Sequence, residues 1–214
     1  YKEPDAEWLA QFRDEISRFD DHCDIDNIIL QHRYLQGAPS ESLKGNIAGD
    51  YYAVEKGLEF RLNFKANQNV GFFLDMAECR QVLRENVKGN SVLNLFAYTC
   101  AFSVVAAEAG AAKVVNVDMA KGALNTGRLN HQLNAIDSRS VSYLGHDIFK
   151  SWGKIRKYGP YDRVIIDPPS FQAGSFNVRK DYPKIVSKLP GLLNPNGRVI
   201  ACLNSPDLSF AFLR

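Results

Sequence analysis

The sequence predicts an α/β fold with a mostly parallel sheet, preceded by a small helix and a β-hairpin segment. One observation is a series of apolar, β-branched runs from residue 91 onward. These are SVLNLF (91–96), KVVNVD (113–118), SVSYLGHD (140–147), YDRVIID (161–167) and GRVIACL (197–203). A second is that helical stretches separate the first three runs: small-residue AFSVVAAEAG, then GALNTGRLNHQLN at 122–134. Apolar runs alternating with helices imply parallel strands covered on both faces. The third is a change of pattern before residue 75, where short alternating runs replace the strand–helix rhythm.

At the amino end, DAEWLAQFRDEISRFD (5–20) sets Trp8, Leu9, Phe12, Ile16 and Phe19 at helical spacing with charges opposite, an amphipathic helix. IILQHRYLQGAPSESLKG reads as loop-rich from its Gly, Pro and Ser. Between 47 and 65 short β runs appear, with Lys56-Gly57 as the turn of a hairpin. DMAECRQVLRENVK (75–88) reads as a helix with Asp75 as N-cap and Gly89 just past its end. The expected division is therefore 1–74, helix and β-rich segment, and 75–214, the strand–helix body. The chain ends at SFAFLR soon after the fifth run, which leaves the last edge of the sheet short of strands for this architecture.

The 214 residues are 45% hydrophobic and 23% charged, as in an ordinary folded domain. No stretch reaches about 18 uninterrupted apolar residues, so no membrane span is expected. YKEPDAEW resembles neither a signal peptide nor an initiator start, so residue 1 reads as an internal beginning. Cys23, Cys79, Cys100 and Cys202 are scattered, which fits reduced thiols in a cytoplasmic protein and gives no metal site. Net charge is +2, but residues 1–26 hold nine acids against three bases. The remaining chain carries 23 bases against 15 acids, a balance that favours a polyanionic partner.

Open parallel sheets bind ligands at the carboxyl ends of their strands, where strand order reverses. The loop after the first run, Leu95 to Ala101, contains no glycine. A dinucleotide pyrophosphate needs close backbone approach there, which disfavours a nicotinamide cofactor. S-adenosyl-L-methionine has no phosphate and tolerates a bulkier loop, with Asn94, Tyr98, Thr99 and Ser103 available to its amino-acid end. Asp118 closes the second run, 22 residues beyond Phe96, a spacing suited to accepting ribose hydroxyls. Asp147 follows the third run, where it serves either an adenine amine or the cap of the next helix. After the fourth run, Asp167-Pro168-Pro169-Ser170-Phe171 forms a rigid corner, because successive prolines fix φ and remove two donors.

VLNLFAYTCAFSVVAAEAGAAKVVNVDMAKGAL, with IIDPPSF and QNVGFFLDM, resembles the ribosomal-RNA large-subunit methyltransferase family, from Ala48 to Ser205. That family has branches forming 5-methylcytidine and N7-methylguanosine. The resemblance implies a Rossmann-like class I methyltransferase fold whose cofactor is S-adenosyl-L-methionine. It implies that Phe96, Ala97, Tyr98, Thr99, Ser103, Asp118, Met119, Asp147, Ile148 and Asp167 surround that cofactor, with Gln68 to Asp75 over the same pocket. Two departures stand out. The family loop commonly reads AYTGGFS, and here Cys100 and Ala101 replace both glycines. The small amino-terminal RNA-binding domain of some members is also not recognisable in residues 1–46.

In the cytosine-modifying branch a cysteine nucleophile follows the fifth strand, and the matching position here is Asn204. Cys202 lies two residues earlier and reads as a structural thiol within the strand. Direct transfer to a nitrogen of an RNA base is then the expected chemistry, with positioning supplying most of the acceleration. Asp167, Pro168, Pro169 and Asn204 are the expected catalytic set. Phe171 is a candidate stacking platform, and Arg179, Lys180 and Lys184 follow as candidate phosphate contacts. A protein or small-molecule methyltransferase, and a catalytically silent RNA-binding module, remain compatible with these motifs.

Overall fold

The computed structural model describes residues 2–23, 25–46, 49–65, 69–169, 171–172, 176–205 and 207–213. It separates into two compact units, Tyr1–Ala53 with Arg61–Gly71, and Val54–Phe60 with Phe72–Arg214.

In the first unit, helix α1 (Ala6–Cys23) starts where Asp5 Oδ1 accepts the Trp8 N–H at 2.7 Å. Its apolar stripe is shallow: Trp8 stacks on Phe12 at 5.3 Å yet remains 52% exposed. Polar clamping supplements it. Arg13 donates two hydrogen bonds to Glu41, at 2.8 and 2.7 Å, and Glu41 also bonds His32 at 3.0 Å. The Arg13 guanidinium holds the Glu41 carboxyl down at about 2.

Glu41 lies on β2 (Ser40–Lys44), which pairs antiparallel with β1 (Ile28–Gln31). This hairpin occupies the segment whose composition reads as loop. Its strands are short and half-exposed, so no apolar alternation marks them. The second hairpin, β3 (Tyr51–Glu55) and β4 (Leu58–Leu62), turns at Lys56-Gly57 as expected, with φ of 52° and 82°.

The body is a five-stranded parallel sheet. Its strands are β5 (Ser91–Leu95), β6 (Lys113–Val117), β7 (Val141–Leu144), β8 (Tyr161–Ile166) and β11 (Leu193–Ala201). The order is β11-β8-β5-β6-β7, with every pair parallel. A two-residue ladder, β9 (Phe171–Gln172) with β10 (Phe176–Asn177), stands apart from the sheet. The helices are α2 (Ala77–Asn86), α3 (Ala101–Glu108), α4 (Lys121–Leu133), α5 (Trp152–Tyr158) and α6 (Val178–Val186).

Two-sided cover explains the uninterrupted apolar runs. On one face Leu93, Leu95, Val115, Val117, Val164 and Ile166 pack with Ile155 of α5 and Tyr182 and Ile185 of α6. On the other, Val92, Val114 and Ile165 meet Leu83 of α2 and Phe102 and Ala106 of α3. The expected parallel architecture is therefore present.

Asp75 differs from its expected role. A 3-10 turn, Leu74–Met76, precedes α2, and Asp75 lies inside it while Met76 takes the N-cap position without a side-chain bond. The short apolar GFFLDM segment binds its neighbours sooner than the helical pattern begins. Phe72 stacks on Phe60 at 4.5 Å, and the Arg80 guanidinium covers the Phe72 ring at 4.4 Å. Arg80, 2% exposed, donates two hydrogen bonds to Glu55, both 2.7 Å.

Candidate active site

Strand order reverses at β5, which has β6 on one side and β8 on the other. The loop leaving β5 therefore opens at the switch point of the sheet. Its backbone is unusual: Phe96, Tyr98 and Cys100 have φ of 58°, 46° and 63°. A left-handed conformation costs a side-chain-bearing residue roughly 1–2 kcal/mol. Neighbouring bonds impose it here. The Ala97 N–H donates to Val117 O, the Cys100 N–H to Ala97 O at 2.7 Å, and Asn130 donates to Thr99 O at 3.0 Å.

Cys100 occupies one position where the resembling family has glycine, and the fold accommodates it through a second glycine. A Cβ on Gly127 of α4 would lie 2.4 Å from Cys100 Sγ and 2.9 Å from its Cβ. The thiol thus fills the space that Gly127 leaves, together with Ala97 and Leu124. It is fully buried, and burial pushes its pKa far upward. Gly127 inside a helical pattern was the available signal for this packing.

Asp118 ties the loop to the end of β6. Its Oδ2 accepts the Tyr98 N–H and its Oδ1 the Ala120 N–H, both at 2.8 Å. Burial raises its pKa, opposed by these two backbone donors. Met119 beside it is 56% exposed. Asp147 caps the 3-10 turn Ile148–Lys150 by accepting the Phe149 N–H at 2.9 Å, and Ile148 is buried. Tyr98 meets the Phe73 ring at 5.6 Å, which sets residues 73–75 beside the loop. Gln68 lies outside the described residues.

Ser103 lies on the buried side of α3. It is fully buried, and its hydroxyl sits in a hydrogen-bonded chain within the core. Asn94 donates to Asn116 Oδ1 (2.9 Å), Asn116 to Ser103 Oγ (2.8 Å), and Ser103 contacts His131 Nε2 (2.9 Å). His131 Nδ1 meets Gly127 O at 2.7 Å, so the neutral ring carries its proton there and accepts from Ser103. Burial lowers the His131 pKa. Asn94 is engaged in the same chain, so both residues brace the loop from inside the sheet–helix core.

At the end of β8, Asp167 is half-buried and Pro168 buried. The last β11 residue, Ala201, pairs with Ile166, so the ends of β8 and β11 are level. Cys202 falls one residue past its expected place inside the strand. Its N–H donates to Ile166 O at 2.8 Å, and burial and the Asp167 charge push its thiol pKa far upward. Burial and the Asp75 charge raise the Asp167 pKa to about 6, while Cys202 and Arg80 oppose that rise. Sequence reasoning passed over Cys79, a half-buried thiol of α2, because nothing in its spacing sets it apart.

Asn204 is exposed two residues beyond Cys202. Asn177 caps α6 by accepting the Lys180 N–H at 3.1 Å, leaving Arg179 and Lys180 exposed on its first turn. Lys184 instead pairs with Asp181 at 2.8 Å. The Phe171 side chain and Ser170 lie outside the described residues. Among the described residues no group of three or more His, Cys, Asp or Glu is placed to hold a metal, and no helix is long and apolar enough to cross a membrane.

Comparison with known proteins gives a consistent result. A family model described as S-adenosylmethionine-dependent methyltransferase matches residues 1–214. A ribosomal RNA large subunit methyltransferase K/L from Shewanella loihica is 35% identical over 183 residues, 83% of this chain and 26% of that protein. A ribosomal RNA large subunit methyltransferase I from Aeromonas hydrophila is 36% identical over 145 residues, 66% of this chain and 36% of that protein. The chain thus spans about a quarter of the length of its K/L relatives. A methyltransferase crystal structure complexed with SAH superposes with a TM-score of 0.86 at 30% identity, covering 95% of this chain and 55% of that one.

Proposed function

The chain belongs to the S-adenosylmethionine-dependent methyltransferase family, and from that premise we propose that it methylates a base of ribosomal RNA by direct transfer. The relatives named as ribosomal RNA methyltransferases support the substrate class. A cytoplasmic location accords with that substrate.

The observation that carries the reading is the placement of two carboxylates beside one switch point. Asp118 follows β6 and holds the loop that leaves β5, and Asp167 follows the neighbouring β8.

The residues present fit an adenosyl sulfonium donor. Each Asp118 oxygen holds one backbone N–H and keeps a lone pair for a ribose hydroxyl. Exposed Met119 offers an apolar surface to adenine, Asp147 and Ile148 border the same side, and the glycine-free loop of Phe96 to Thr99 faces no phosphate. Bound there, S-adenosyl-L-methionine supplies a methyl group already activated on a sulfonium.

The remaining work is positioning. Asp167, on the rigid Pro168-Pro169 corner, accepts a hydrogen bond from the base edge. Where the acceptor nitrogen carries a hydrogen, Asp167 is placed to take the proton it sheds. Asn204 offers a donor and an acceptor to the same edge, Phe171 a stacking surface, and Arg179 and Lys180 bind phosphates. Cys202 does not serve as nucleophile, because burial and the adjacent Asp167 charge push its thiol pKa far upward and suppress the thiolate.

Incubation with methyl-tritiated cofactor, ribosomal RNA and a separate protein fraction tests this. Label should enter RNA, and nucleoside mass spectrometry should place it on a base nitrogen. Label confined to protein, or at carbon 5 of cytosine, would overturn the proposal.

A further inference from the structure

Two asparagines at the end of α4 hold structures that are far apart in sequence. Asn134, which closes α4, takes both main-chain groups of Glu59 on β4. Its Oδ1 accepts the Glu59 N–H at 2.9 Å, and its Nδ2 donates to Glu59 O at 2.8 Å. A paired antiparallel residue would exchange the same two bonds, so one side chain stands in for a strand at that edge of β4. The second Nδ2 hydrogen goes to Asn130 O at 2.8 Å, which also receives the Asn134 N–H at 3.3 Å. These bonds fix the orientation of the amide, since a flip would set its oxygen against two carbonyls.

One turn earlier, Asn130 is fully buried and donates from its own amide to Thr99 O at 3.0 Å. Thr99 sits between Tyr98 and Cys100, whose φ of 46° and 63° mark the strained part of the loop after β5. Such a conformation persists only where its surroundings over-determine it. Asp118 fixes the Tyr98 N–H, and Asn130 fixes the next carbonyl. Glu59, Thr99, Asn130 and Asn134 all lie within one compact unit. A hydrogen-bonded path thus runs from β4 through Asn134 and Asn130 to the loop.

We propose that Asn130 and Asn134 are positioning residues that couple β4 at Glu59 to the cofactor loop, so that ordering either one orders the other. The proposal rests on the reading that S-adenosyl-L-methionine lies against Phe96 to Thr99. Such coupling is reciprocal: a substrate that steadies β4 tightens the cofactor by the factor with which the cofactor steadies β4. An aromatic route, Phe60 on Phe72 at 4.5 Å and Phe73 on Tyr98 at 5.6 Å, joins the same two places. It touches side chains alone, whereas the asparagines grip main-chain atoms at both ends.

The test is amide hydrogen exchange at Glu59, read by NMR on the whole chain with and without saturating S-adenosylhomocysteine, beside calorimetric affinities for the same compound. In wild type the compound should slow exchange at Glu59 about five- to tenfold. In Asn130→Ala, Asn134 still clasps Glu59, yet the compound should no longer slow its exchange. Asn134→Ala, at a half-exposed position, should keep the fold and still weaken the compound about five- to tenfold. The double variant should lose no more affinity than the weaker-binding single variant, because both residues serve one path. A purely structural role gives neither the ligand-dependent protection nor the non-additivity. Protection that survives Asn130→Ala, wild-type affinity in Asn134→Ala, or additive losses each overturn the proposal. Asp118→Ala separates it from the placement of the cofactor. If that variant weakens the compound while Glu59 in wild type never responds, the cofactor site stands and the coupling falls; if its affinity is unchanged, the site falls and the coupling with it. Coupling seen without methyl transfer to RNA removes the substrate assignment alone.

Discussion

Two residues decide how the loop after β5 is held. Asp118 accepts two backbone N–H groups, so Asp118→Ala removes both the brace on the loop and the acceptors proposed for the ribose. Cofactor affinity should fall by roughly ten- to a hundredfold, about 1.5–3 kcal/mol, read by calorimetry with circular dichroism confirming the fold. Asp118→Asn, which retains an acceptor for one N–H, should lose less; equal affinity in all three proteins removes the ribose assignment. Cys100 and Gly127 form the second case, since a methyl group at 127 would lie 2.4 Å from the sulfur. Overpacking in Gly127→Ala should cost about 1–3 kcal/mol, against about 1 kcal/mol that its helix propensity would gain. Adding Cys100→Gly should recover most of that loss, since glycine adopts φ of 63° without strain. Additive effects in the double mutant would show that the two positions do not touch in solution.

Among the elements, the buried chain Asn94–Asn116–Ser103–His131 joins β5, β6, α3 and α4. It runs in one direction only while His131 is neutral. The folded protein binds the His131 proton less tightly than the unfolded chain, whose value is about 6.5. Unfolding therefore takes up a proton at acidic pH. The stabilisation is complete above about pH 6.5 and diminishes as pH falls below it. Urea unfolding of wild type and His131→Gln at pH 7.5 and 5.5 should show the wild-type advantage shrinking in acid; a constant difference would refute the linkage. This chain also marks the limit of what the sequence discloses. SVLNL and KVVNV announce strands because both faces are covered, and the carboxylates Asp118 and Asp167 stand out by ending such runs. The asparagines were visible at matching positions, yet nothing local says that Asn94 and Asn116 sit side by side in register. β1 and β2 stayed hidden because half-exposed polar strands carry no periodic apolar signal. β11 begins at Leu193, four residues before its expected start, because Pro195, Asn196 and Gly197 read as a turn although they lie within an irregular strand. The core bonds of Ser103 were not legible either, because hydroxyls near such a loop look alike whether they face it or the core.

At the scale of the molecule, the tip of the β3–β4 hairpin belongs to the same compact unit as the sheet, and one buried ion pair secures it. Glu55 neutralises Arg80, which is 2% exposed, so Glu55→Ala strands a buried cation. The expected loss is about 3–5 kcal/mol in denaturant unfolding, whereas replacing both partners with apolar residues of similar volume should cost far less. A loss below about 1 kcal/mol would place the pair among solvent-screened contacts instead. Strand order has a further effect, felt while the chain is still being made. β5 lies at the centre of the sheet, but its partner β8 is paired across about 70 residues, Leu95 with Ile166. At a ribosome speed of ~5–20 residues per second, β5 waits on the order of 4–14 seconds beside β6 and β7 with one edge bare. Such a half-sheet exposes an unpaired strand edge while it waits, and slowing translation between codons 145 and 160 would lengthen that exposure.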